Sequence, residues 1–130
     1  MIGDWYLAQE LQAARLELGR WQALHLEMAL RLRRGQRSGL VVGARRAGPQ
    51  GDDCRLGRCL VLLSQRRPGD PFVEELSWVH DDFHAYADAV RAMIAAGRAE
   101  EAIVALTGLE YEARRAALTD RITELLGSAA

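Results

Sequence analysis

The chain contains no lysine beside 17 arginines and only two cysteines, and each scarcity narrows what it can be. The missing lysine is read as coding bias rather than chemistry. Two cysteines do not make a disulfide framework, and on one helix Cys54 and Cys59, five apart, would point roughly 140° away from each other. No run of about 18 apolar residues is present, which excludes an ordinary membrane-spanning helix. The opening MIGDWYLAQE lacks the basic, then apolar, then small-residue order of a secretory signal, so the expected compartment is the cytoplasm, with no membrane partner. A nucleophile elbow, a phosphate-binding glycine motif and a catalytic carboxylate pair are all missing too, which predicts a non-enzyme.

What is present reads as one soluble domain spanning residues 1–130. Apolar residues make up 49% and charged residues 27%, the mixture of a chain that folds around a single core. The net charge of -1 is unevenly divided: residues 1–68 carry 12 Arg against 6 Asp/Glu, and residues 69–130 carry 5 against 12. Halves of opposite sign attract each other in an antiparallel arrangement, so the split needs no nucleic-acid partner. The run Arg31, Arg33, Arg34, Arg37, Arg45 and Arg46 has no interleaved aromatic residues and belongs to a solvated segment.

Periodicity predicts an all-α fold, an antiparallel four-helix bundle with a long N-terminal helix. Over 5–34, Leu7, Leu11, Ala14, Leu18, Trp21, His25, Met28 and Leu32 recur at spacings of four and three, a heptad stripe. The part of this stripe ahead of His25 projects past the expected bundle, and a homodimer through the first helix is the predicted cover. GQRSGLVVGARRAGPQG, residues 35–51, is too rich in glycine for a helix and reads as a loop, with Leu40, Val41 and Val42 tucked inward. Asp52 or Asp53 is the expected cap of a second helix that carries Cys54 in its first turn and ends near Arg66. Asp70 and Pro71 open a third helix that Gly97 closes, and 98–126 give a fourth with a break near Gly108.

The chemistry sits at HDDFH, residues 80–84. Two histidines four apart share a helix face, and their rings can meet one ion. His25 and Cys54 also fall on inward positions, the latter where helix N–H groups favour a thiolate. Three imidazoles and one thiolate complete a tetrahedron, a donor set suited to zinc, with no position left for substrate. A di-iron site is excluded because no inward Glu accompanies the histidines.

HLEM at 25–28, CRLGRC at 54–59 and HDDFH at 80–84 resemble the chemoreceptor zinc-binding domains of bacterial chemotaxis receptors and some diguanylate cyclases. The likeness covers about 18–126. It implies zinc held by His25, Cys54, His80 and His84, and a regulatory role in which zinc level or cysteine oxidation reaches a signalling partner. Met28 and Cys59 replace two tryptophans of the family pattern, both at packing positions, and Trp21 is the aromatic residue nearest to compensating. The alternative is a zinc-stapled structural module that dimerises or anchors a partner without sensing.

Overall fold

The computed structural model describes residues 2–36 and 54–128, with side chains from Trp5 to Gln36 and Cys54 to Gly127. The described part is all-helical: α1 spans Ile2–Arg33, α2 Arg55–Arg66, α3 Pro71–Ala95, α4 Ala99–Thr107 and α5 Leu109–Ser128. Leu40, Val41, Val42, Arg37, Arg45 and Arg46, and the expected caps Asp52 and Asp53, lie outside the described residues. No helix among the described residues is long and apolar enough to cross a membrane.

Local chemistry accounts for most boundaries. Asp70 accepts the Phe72 N–H at 2.9 Å and Pro71 occupies the first turn, where a missing N–H costs nothing, so α3 starts there. Gly97, at φ 79°, closes it. The break between α4 and α5 falls at Gly108, whose N–H bonds the Val104 carbonyl at 2.9 Å. A Cβ at Gly108 would stand 2.8 Å from that same carbonyl oxygen, so the approach admits only glycine.

Helices α1 and α3 each pack against all the others. Leu7, Leu11, Ala14, Trp21, Met28 and Leu32 are buried along α1, against a core that includes Leu63, Leu76, Val90, Leu106 and Ile122. The stripe predicted to need a second copy is thus covered within one chain. Cross-links fix α1 against its neighbours: Gln22 donates to the Leu106 carbonyl at 2.8 Å and Arg15 to the Thr123 hydroxyl at 3.3 Å, while Arg55 of α2 pairs with both Glu10 and Glu17. Arg33 and Glu100, 3.6 Å apart, join the basic half to the acidic half, whereas the less exposed pairs Arg55–Glu17 and Arg114–Asp82 stay within a half.

Candidate metal centre

The site assembles where α2 and α3 meet the middle of α1. Cys54 is itself the N-cap of α2: its extended backbone, φ -78° and ψ 152°, turns Sγ back to accept the Gly57 N–H at 3.0 Å. The thiol therefore sits one position earlier than the first-turn place expected from sequence, and it does the capping expected of an aspartate. Burial pushes this thiol up from its ordinary range, while the N–H groups of Gly57 and Leu56 draw it down.

Both histidines of HDDFH come from α3. His80 is buried, with Nε2 at 3.0 Å from Cys54 Sγ. Its Nδ1 lies 3.8 Å from the exposed Asp81 carboxylate. The His84 ring stands edge-on to His80, centroids 4.4 Å apart, and burial lowers its pKa, which keeps it neutral and able to coordinate. One donor atom from each of Cys54, His80 and His84 lies within 4.8 Å of the other two. Around a tetrahedral zinc, donors sit about 3.3–3.8 Å from one another, so modest side-chain rotation closes the group on an ion.

His25 stands outside that trio. It is fully buried on α1, and its Nδ1 lies 2.9 Å from the Trp21 carbonyl oxygen. A carbonyl can only accept, so Nδ1 carries the proton and Nε2 presents a bare lone pair. Burial lowers the His25 pKa as well, which favours this neutral form. His25 Nε2 is buried without a hydrogen-bond partner, an atom that lacks what a metal supplies.

Around the donors lies an aromatic wall. Trp21 stacks on His25 at 4.2 Å between centroids and meets Phe83 edge-on at 5.8 Å, and Phe83 in turn approaches Tyr111 at 6.0 Å. Cys54, His80, His84, Trp21 and Arg91 border a cavity of about 30 Å³, room for an ion or a water. On the other side His80 and His84 line an open groove of about 670 Å³ that also carries Asp81 and Asp88, a route from solvent to the donors.

No protein-family model, curated protein or solved structure matches the chain. The chemistry of the site therefore rests on its own donors.

Two neighbours of the site escaped the sequence reading. Arg91 is buried, pairs with Asp88 at 2.6 Å and holds its guanidinium 5.8 Å from the Trp21 ring centroid. Its signal was present: 80, 84, 87 and 91 continue one inward register along α3. Tyr111, buried in the first turn of α5, donates its hydroxyl toward the Leu18 carbonyl at 3.4 Å.

Proposed function

We propose that the chain is a zinc-binding regulatory domain holding one ion through Cys54, His80, His84 and His25 Nε2. The observation that carries this reading is the trio of donors within 4.8 Å together with the unpartnered, buried Nε2 of His25. Nitrogen and thiolate donors of this kind favour zinc over magnesium or calcium. Four protein ligands leave no open position for a substrate, which fits a role other than catalysis.

Regulation follows from where the donors come from. His25 belongs to α1, Cys54 to α2, and His80 and His84 to α3, so an ion ties three helices together. Losing the Cys54 bond frees the start of α2 from α3. Two inputs can do this: a fall in zinc, or a two-electron oxidant such as hydrogen peroxide, whose O–O bond breaks as one oxygen passes to the thiolate, leaving a sulfenic acid of weaker donor strength and hydroxide. The motif likeness to chemoreceptor zinc-binding domains supports the same reading, with a signalling protein as the receiver of the change in helix packing.

Metal analysis of protein purified without added zinc tests the proposal. One equivalent per chain is expected, retained in Cys59→Ala and lost in Cys54→Ala. Retention in Cys54→Ala with loss in Cys59→Ala would overturn the ligand set. If amide exchange in α1–α3 is the same with and without zinc, the domain is a structural staple and not a sensor.

A further inference from the structure

The four proposed ligands differ in how near they stand to water. His25 is 0%, Cys54 4% and His80 6% exposed, whereas His84 is half-buried. The cavity of about 30 Å³ beside them has room for one ion or water and none for a second ligand. The groove of about 670 Å³ between α2 and α3, which His80 and His84 both line, has that room. Small side chains keep it open, Ser64 on α2 and Ala85 on α3.

The groove also has a sign. Asp81 and Asp88 line it, and no arginine among the described residues does. Asp88 is paired with Arg91, so the charge shown to an entering ligand is chiefly that of Asp81, whose side chain is 85% exposed.

Spontaneous loss of metal from such a site is slow. Structural zinc is held with dissociation constants of about tens of nanomolar down to picomolar. With association at about 10⁷ M⁻¹s⁻¹, a picomolar site empties at about 10⁻⁵ s⁻¹, roughly once a day. A site that follows zinc level needs a faster path.

We propose that the α2–α3 groove is the port through which zinc is exchanged by ligand substitution, and that Asp81 makes it favour neutral nitrogen-donor chelators over anionic ones. The inference rests on the zinc site proposed above. His84, the ligand nearest to solvent, yields first: its bond to zinc breaks as a nitrogen of the chelator forms one. The imidazole leaves with its lone pair, and no proton or electron changes hands. Zinc imposes no geometry through its d-electrons, so a fifth ligand at the crossing point is tolerated. Delivery reverses these steps, and the Asp81 carboxylate then attracts the cationic complex that a neutral chelator forms with zinc.

Isotope exchange on the zinc-loaded full chain is the test. Labelled zinc is supplied with a chelator as carrier, and the bound isotope is read by native mass spectrometry. Terpyridine and dipicolinate serve as probes, both planar and tridentate, the first neutral and the second a dianion. Exchange is expected to quicken in proportion to terpyridine concentration. Ala85→Trp and Ser64→Trp, both at exposed positions, should slow it at least about tenfold with zinc affinity unchanged, whereas Val104→Trp, exposed and outside the groove, should not. Asp81→Asn should raise the ratio of the dipicolinate rate to the terpyridine rate at least about threefold, a shift in selectivity that loosened packing alone would not give. Exchange indifferent to terpyridine concentration, or to both groove-filling variants, would overturn the port, and an unchanged ratio in Asp81→Asn would overturn the selectivity. A chain that carries no zinc at the outset would instead overturn the zinc site itself, and this inference with it.

Discussion

The indole of Trp21 lies 4.2 Å from the imidazole of His25, nearly parallel to it at 25°, while the Trp21 carbonyl accepts a hydrogen bond from His25 Nδ1–H. One residue, a single helical turn earlier, thus fixes both the plane of the ring and its tautomer. Backbone and side chain act separately here, and substitutions can tell them apart.

Trp21→Ala keeps the carbonyl but removes the stacking surface. Removal of such a buried ring should cost about 3–5 kcal/mol of stability, and, with His25 the fourth ligand as proposed, freeing its ring should weaken zinc binding by about 10–100-fold. Trp21→Phe should recover most of both. Chemical denaturation and competition against a chelator of known affinity would measure the two effects, and equal zinc affinity in Trp21→Ala would remove the orienting role.

Cys54 has two duties that a pair of variants separates. Serine at this position still offers an oxygen to the Gly57 N–H, whereas alanine offers none, so Cys54→Ala should lose about 1 kcal/mol more than Cys54→Ser in metal-free protein. Zinc retention should be equally poor in both. Equal stabilities would show that the Sγ contact does not cap α2.

Cys59 should be inert. Burial and the neighbouring Glu10 carboxylate push its thiol up to about 11. At pH 8 only about a thousandth is thiolate, against about a tenth to a quarter of an exposed thiol, so alkylation of native protein should be slower by about one hundred- to a few hundredfold. The sign for stability follows: the folded state holds its proton longer than the unfolded one, so this contribution is present below pH 9 and is lost as pH rises toward 11. Alkylation by iodoacetamide read by mass spectrometry, and melting of Cys59→Ala against the parent across that window, would test both statements.

Chelation should lower the melting temperature without abolishing helix. Zinc held as proposed would bind the folded state preferentially, and at a free concentration 100 times the dissociation constant it would add about 2.7 kcal/mol. The apolar core along α1, α3 and α5 persists without it. A thermal transition unmoved by verified metal removal would count against a site that bridges helices.

The sequence was legible where one residue governs one event. Asp70 with Pro71 announced the start of α3, Gly97 its end, and Gly108 the break before α5, because cap and glycine chemistry act locally. The inward register of α1 and α3 was legible for the same reason, and it carried His25, His80 and His84. Cys54 was misplaced by one position because aspartates rank above cysteine as caps, and the preference does not say which residue the chain brings to the helix end. Arg91 was passed over because charge outweighed register in reading α3. The heptad stripe through Leu7 and Leu11 told correctly that α1 needs a cover; periodicity cannot tell whose. Its cover belongs to the same chain.

Helix α1 has His25 on its buried side and Leu16 on the opposite, exposed side. A long helix transmits twist as a shaft does. Side-chain atoms lie about 5 Å from the axis, so a turn of about 20° at one level moves every surface atom along its length by about 2 Å, in opposite directions on the two sides. Such a displacement at the histidine, too small to unpack the core, is enough to take a tryptophan or leucine on the far side out of register with whatever it touches.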